Sequence, residues 1–259
     1  MARKEKERIF RMKRFEVNHS RSANKVGVDG VMIGAWATVS GSEHRILDAG
    51  CGCGLIALML AQRNAAAGGV ALVEGIDIEP GAVEEASENF SRSEWHDRLA
   101  AAATDFSTIA ESGAAPRYDL IVSNPPFFHA GADNTCSDRM LARHAGALSP
   151  ETLIGEARRL LKPGGRLAYI AQASDECALR QYGESCGLRL SRLTLVRGNP
   201  QASPKRVMME WLNADGTIEG GTARYAERRV DETEITIEYT PGDYTPEYIA
   251  LCRDFYLRM

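Results

Sequence analysis

Residues 45–63, RILDAGCGCGLIALMLAQR, set the fold. The apolar run RILDAG (45–50) reads as a strand ending in an acid and a glycine, and LIALMLAQR (55–63) reads as the helix that follows. Between them the glycines at 50, 52 and 54 permit positive φ and close backbone approach. Strand, glycine turn and helix form the opening of an α/β unit. The alternation continues outward. VALVEGID (70–77) is a strand, EPGAVEEASENFSR (79–92) a helix, LAAAATD (99–105) a weak strand and YDLIVSN (118–124) a clear one. SPETLIGEARRLL (149–161) has the Ser and Pro of a helix start and a KPGG stop. RLAYIA (166–171) is a strand, and DECALRQYGESCG is a helix ending at Gly187. Residues 188–212 read as two more strands around the loop RGNPQASPKR. The expectation is a seven-stranded, mostly parallel sheet with helices on both faces.

In such a sheet ligands bind at the carboxyl ends of the strands. Asp48, Asp77, Asp105 and Asn124 each stand at a strand end and so share one rim. The loop DAGCGCG (48–54) is D-x-G-x-G-x-G, which differs in spacing from the dinucleotide pattern G-x-G-x-x-G. A carboxylate there repels a pyrophosphate and suits a ligand with a cationic amino-acid end. Taken singly, Asp77 or Asp105 equally fits the cap of its following helix.

The second motif is VSNPPFFHAG, residues 122–131. Two prolines fix φ, remove two N–H donors and hold Asn124 out of helical conformations. The stiff turn offers two acceptors, the side-chain oxygen of Asn124 and the carbonyl of Pro125. Two acceptors suit an exocyclic –NH2, and accepting both hydrogens exposes the nitrogen lone pair. Pro126 stiffens the turn and Phe127 offers a ring on which a base stacks, worth about 1–3 kcal/mol.

The chain of 259 residues is 44% hydrophobic and 25% charged, an ordinary globular balance. No apolar run approaches the roughly 18 residues of a membrane span, and MARKEKERIFRMKRF lacks the apolar centre of a secretory signal. A cytoplasmic protein with no membrane association is expected. The six cysteines have no CxxC spacing and read as reduced thiols, and no metal site is expected. Residues 1–14 hold seven Lys or Arg against Glu5 and Glu7, on a chain of net charge −4. This basic arm on an acidic body suggests a polyanionic partner, with a solvated tail as the plain alternative. Arg8, Arg11, Lys13 and Arg14 in the arm, with Arg139, Arg143 and His144 after the proline motif, are candidate phosphate contacts. Arg224, Arg228 and Arg229 form a second cationic cluster.

The glycine loop resembles that of class I S-adenosylmethionine-dependent methyltransferases. The resemblance implies a Rossmann-like fold and S-adenosylmethionine as cofactor, with Asp48, Gly50, Gly52 and Gly54 around its amino-acid end, Asp77 on the ribose, and Ile78 and Asp105 at the adenine. The Asn-Pro-Pro-Phe turn resembles the motif of methyltransferases acting on planar amino nitrogens, which gives Asn124, Pro125, Pro126 and Phe127 the substrate side and brings Asn124 against the cofactor. The segment MKRFEVNHSRSANKVGVDGVMIGAWA (12–37) resembles that of the bacterial tRNA1(Val) adenine-N6 methyltransferase family. The matching residues are Phe15, Arg21, Lys25, Val26, Gly27, Asp29, Gly30, Gly34, Ala35 and Trp36, and the resemblance runs on to the closing DFYLRM, weakest over 189–240. It implies methylation of the adenosine just 3′ of the anticodon, a tRNA anticodon stem-loop as partner, and no obligate protein partner. Lys25, Gly27 and Asp29 then form a turn and helix start closing over the cofactor. The expected organisation is an arm (1–14), then a methyltransferase domain over 15–259, made of a cap (15–44), a core (45–212) and a C-terminal extension (213–259). Guanine-N2 methylation of ribosomal RNA and glutamine-N5 methylation of protein are the alternatives for the same motif. A non-catalytic binding module and a nicotinamide dehydrogenase are those from other classes.

Overall fold

A computed structural model describes residues 9–22, 25–111, 117–126, 148–214 and 229–259. The chain opens with a hairpin, β1 (Ile9–Arg11) antiparallel to β2 (Glu16–Asn18), whose turn falls where the sequence places the end of the arm. Helix α1 (Val28–Trp36) follows, then β3 (Arg45–Ala49), α2 (Leu55–Ala66), β4 (Leu72–Asp77), α3 (Pro80–Ser91), β5 (Leu99–Ala103), α4 (Phe106–Glu111) and β6 (Tyr118–Ser123). The second half contains α5 (Pro150–Leu160), β7 (Leu161–Gln172), α6 (Glu176–Ser185), β8 (Leu188–Arg197) and β9 (Arg206–Asn213). Last come β10 (Asp231–Thr236), the small ladder β11 (Glu238–Thr240) with β12 (Asp243–Tyr244), and α7 (Pro246–Cys252).

The main sheet has the order β10-β8-β9-β7-β6-β3-β4-β5. Strand β9 runs antiparallel to both β7 and β8, and the other pairings are parallel. The central strands are largely apolar because helices cover both faces, as in an α/β sheet. One core packs α1 and α2 against one face, and the other packs α5 and α6 against the opposite face.

Among the described residues the sheet has eight strands, where the sequence predicts seven. The extra strand, β10, comes from the C-terminal extension and lies parallel to β8, Asp231 facing Arg192 and Thr236 facing Arg197. Its sequence DETEIT is exposed or half-buried throughout, so it carries no apolar alternation to read. Charge adds to its ladder: Glu232 pairs with Arg180 of α6 at 2.8 Å and Glu234 with Arg197 of β8 at 2.6 Å. A charged edge of this kind resists further strand pairing.

Ser149 caps α5 by accepting from the Thr152 N–H at 3.1 Å, as its sequence predicts. The KPGG stretch does follow the helix end, but it lies inside β7. It forms the irregularity there, with Leu161 opposite Tyr118 and Arg166 already opposite Leu120.

Helix α1 is the element that sequence pattern alone describes least. Residues Gly30–Trp36 are all buried, and its glycines allow close approach: a Cβ at Gly34 would lie 2.8 Å from the Met59 sulfur. Trp36 locks it to the far side of the sheet. Its indole N–H donates to the Thr194 hydroxyl at 2.9 Å, and the Arg192 guanidinium sits 4.1 Å from the ring centroid. Trp36→Ala is expected to lower unfolding stability by about 3–5 kcal/mol in urea titrations. Trp36→Phe should lose less, since the ring volume is largely kept.

Candidate active site

The strand end of β3 and the turn into α2 build the floor of the site. The N–H groups of Gly50 and Cys51 both donate to the Ile76 carbonyl at 2.9 Å, and that of Gly52 donates to Asp77 Oδ2 at 2.8 Å. Gly50, Gly52 and Gly54 have φ of 71°, 52° and 81°, where a side chain is strained. Two of them serve different needs. A Cβ at Gly54 would lie 2.4 Å from the Phe90 ring, whereas one at Gly52 would meet no protein atom within 4 Å. The first glycine is required by packing, and the second leaves a cleft open.

That cleft has a volume of about 500 Å³. Of the residues singled out in the sequence, Lys25, Val26, Gly27, Gly30, Gly50, Gly52, Asp77, Ile78, Asp105, Asn124 and Pro126 line it, joined by Ala82, Phe106 and Leu148. Asp48, Gly54 and Pro125 lie behind its walls. Asp29 turns away to pair with Arg206 at 2.9 Å. Phe127 lies outside the described residues, as do Phe128, His129, Arg8, Arg139, Arg143, His144, Arg224 and Arg228. Of the remaining candidate phosphate contacts, Arg11 pairs with Glu16 at 2.9 Å and Arg14 with Glu94 at 2.7 Å. The Lys13 ammonium donates to the carbonyls of Arg253 and Met259. These three are engaged by the chain itself.

The polar groups at the strand ends differ in what they hold. Asp105 caps α4, accepting from the Ser107 N–H at 2.8 Å, and also faces the cleft. Asp77 accepts from Gly52 with one oxygen and from the Glu79 N–H at 3.0 Å with the other. Asp48 is fully buried: Oδ2 accepts from the Ala57 N–H at 3.0 Å, and Oδ1 has no partner among the described residues. At the end of β6 the Ser123 hydroxyl donates to the Ala49 carbonyl at 2.7 Å and ties β6 to β3. The next residue, Asn124, has its side-chain oxygen buried with no donor among the described residues. An unmet buried acceptor is costly and calls for a donor.

Residues 37–181 match the family model of the methyltransferase small domain. Over 253 residues the chain is 41% identical to the tRNA1(Val) (adenine(37)-N6)-methyltransferase of Porphyromonas gingivalis, spanning 96% of this chain and 94% of that protein. The chain belongs to the tRNA1(Val) (adenine(37)-N6)-methyltransferase family. The family members of Bacteroides fragilis, at 36% identity over 97% of this chain and 98% of theirs, and Trichodesmium erythraeum, at 37% over 96% and 98%, agree. Among solved structures, a protein described as a predicted O-methyltransferase from Agrobacterium tumefaciens superimposes with a TM-score of 0.61 at 16% identity, covering 88% of this chain and 96% of that one. A methyltransferase from Pyrococcus furiosus superimposes at 0.54 with 16% identity, over 76% and 89%. These share the class I methyltransferase fold.

In this member of the tRNA1(Val) (adenine(37)-N6)-methyltransferase family, two residues that sequence reading passed over hold the N-terminal segment across the cleft. Glu85, fully buried on α3, accepts from the N–H groups of Arg21 and Ser22 at 2.9 Å and from both the N–H and the hydroxyl of Ser20. One turn on, Asn89 donates to the carbonyls of Asn18 and Cys53 at 2.8 Å and accepts from the Asn18 N–H at 2.9 Å. The available signal was their spacing: positions 85 and 89 share a helix face with the buried Ala82 and Ala86. Glu85→Ala is expected to release residues 18–27, raising proteolysis at Arg21 and weakening S-adenosylhomocysteine binding at least about 10-fold. Unchanged cleavage would show that the segment is held by other contacts.

The buried carboxyls of Asp48 and Glu85 titrate in opposite senses. Burial pushes Asp48 up to about 7, against the pull of the Ala57 N–H and with help from the Asp77 charge. For Glu85, burial pushes the pKa up, but the N–H groups of Arg21 and Ser22 and the Ser20 hydroxyl more than reverse it, and the carboxyl lies below its ordinary value. Asp48 therefore contributes stability below its ordinary value of 3.8, lost as pH rises towards 7. Glu85 contributes stability above the ordinary carboxylate range, lost as the solution is acidified through its lowered pKa. The thiols of Cys51 and Cys53 are also pushed up by burial, that of Cys53 to about 11, so both stay protonated and non-nucleophilic near neutrality. Urea unfolding between pH 4 and 8 checks the Asp48 assignment. The stability of Asp48→Asn relative to the parent should rise by about 4 kcal/mol across that window, and a flat difference would contradict it.

Proposed function

We propose that the chain transfers a methyl group from S-adenosylmethionine to the exocyclic N6 of adenine 37 in tRNA1(Val), held by its anticodon stem-loop, in the cytoplasm. The reaction and tRNA are those named for the relatives. The observation that carries the reading is the unpartnered side-chain oxygen of Asn124 at the rim of a glycine-floored cleft.

The cleft suits the cofactor on its own terms. At one end, Asp48 lies buried beneath the turn with one unpartnered oxygen, behind the wall formed by Gly50 and Gly52. Gly52 leaves room that any side chain would take. Asp77 is placed at the end of β4 for ribose hydroxyls, and Ile78, half-exposed beside Phe106 and Asp105, offers an apolar wall with an acceptor for an adenine ring. Lys25 and Gly27 close the cleft from the cap, residues 15–44, which Glu85 and Asn89 hold down. When bound, S-adenosylmethionine supplies an electrophilic methyl on a sulfonium centre.

The chain's own residues prepare the nucleophile. Asn124 and the Pro125 carbonyl accept the two hydrogens of the adenine amino group, which turns the nitrogen lone pair out of conjugation and towards the cleft. Phe127 supplies the surface for the base. No strong base is required, because the nitrogen becomes acidic as it gains the methyl. Positioning then supplies most of the acceleration.

The test is incubation with methyl-labelled S-adenosylmethionine and unmodified tRNA1(Val), followed by digestion to nucleosides. Label in N6-methyladenosine from position 37 is expected, and its absence overturns the reading. Label in N2-methylguanosine or in glutamine of a protein substrate would redirect it. Asn124→Ala is expected to lower kcat by at least about 100-fold while S-adenosylhomocysteine affinity stays within a few-fold.

A further inference from the structure

A second cleft of about 810 Å³ lies on the other side of the Lys25–Gly27 turn, and Val26 and Gly27 line both clefts. It is built from the hairpin β1–β2, the end of β8, the start of β9 and the last residues of the chain. Neither the glycine loop nor the proline motif contributes to it. Two features of its lining point to one kind of occupant.

The first is aromatic. Phe10 and Tyr256 meet edge to face with centroids 6.2 Å apart, and Tyr244 lies 5.4 Å from Tyr248 at a tilt of 41°. Tyr244 is 39% exposed and can take a further planar group on its ring. The second is charge. Five cations (Arg11, Arg197, Lys205, Arg206 and Arg258) line the cleft, of which Arg11 is paired with Glu16 and Arg197 with Glu234, beside the carboxylates Asp29 and Glu238. Asp29 is already met by Arg206, and Glu238 accepts from the Gly242 N–H at 3.0 Å. Lys205 and Arg258 are exposed and have no ion-pair partner among the described residues. These two unpaired cations stand on a chain of net charge −4.

We propose that this cleft binds single-stranded RNA next to the target base, with Lys205 and Arg258 on backbone phosphates and Tyr244 stacking a neighbouring base. The proposal rests on the functional reading above, since the shared wall of Val26 and Gly27 makes the two clefts neighbours and leads a strand from one towards the other. Aromatic rings interleaved with cations are what an unpaired strand requires: the π-face takes a base of any sequence and the cations follow the phosphates. Phosphate neutralisation also makes binding salt-dependent. A paired stem offers no free base to Tyr244, so the occupant is loop and not helix.

The experiment measures binding of a fluorescein-labelled anticodon stem-loop of tRNA1(Val) by anisotropy at several salt concentrations, alongside S-adenosylhomocysteine affinity by calorimetry and methyl transfer. Lys205→Glu combined with Arg258→Glu should weaken RNA binding at least about 10-fold and reduce the salt slope by roughly two. Tyr244→Ala should weaken it about 5- to 100-fold, while Tyr244→Phe restores it. S-adenosylhomocysteine affinity should be unchanged in all of them, which also shows that each variant is folded. Variants that bind RNA as the parent does, with the same salt slope, overturn the cleft assignment and leave the methyltransferase reading standing. A parent chain that binds the RNA through these residues but methylates no adenosine keeps the cleft and removes that reading. A parent chain that binds no RNA overturns the cleft.

Discussion

Two peptide N–H groups, those of Gly50 and Cys51, converge on the carbonyl oxygen of Ile76. That pair of bonds fixes how the chain leaves β3, and most of the molecule is arranged around the exit. It sets the direction of α2, whose third residue reaches back to Asp48. It brings Gly52 onto Asp77, so the ends of two adjacent strands become one surface. It also pushes the Cys51 sulfur against β4, where a Cβ at Gly75 would lie only 2.9 Å away. A turn this tightly tied at the backbone is already shaped before any ligand arrives, which lowers the ordering cost of binding.

The rest of the site is less rigid in origin. The segment before α1 has little regular structure of its own and is held mainly by side chains of α3, through Glu85, Asn89 and the exposed pairing of Arg21 with Glu88. A cleft with one fixed wall and one tethered wall can admit a ligand by releasing a few hydrogen bonds, without disturbing the sheet. The buried carboxylate of Glu85 is the strongest of these tethers because all its partners are donors.

What could be read from the sequence follows from how locally each feature is determined. Strands β3, β4, β6 and β7 are buried on both faces and announce themselves as apolar runs. The glycine turn is legible because positive φ is a local demand that few residues meet. Strand β10 is not, because its ladder with β8 carries a single apolar residue, Ile235, and its side-chain ties run from Thr233 and Glu234 to β8 and from Glu232 to α6. Helix α1 is buried throughout from Gly30 to Trp36, so that stretch has no polar face to reveal a period. Asp77 and Asp105 line the cleft from strand ends, places that are legible in the sequence. The partner of Asp29 is not legible there, because Arg206 lies 177 residues away. Glu85 was overlooked for the same reason, since nothing near it shows that a loop from 63 to 65 residues earlier will cover it.

The ends of the described chain meet. Met12 bridges to Tyr256, the Lys13 N–H donates to the Phe255 carbonyl at 2.8 Å, and the Lys13 side chain reaches the carbonyls of Arg253 and Met259. During synthesis the hairpin is therefore made about 240 residues before these partners. Until residue 256 clears the ribosome, Met12 and Phe10 lack the cover of Tyr256, and the loop to be closed is long. The core strands can pair in order as they appear, but the hairpin wall of the second cleft is completed only once residues 253–259 have been made. A nascent chain arrested before residue 253 would own the glycine loop and the proline motif and still lack that wall.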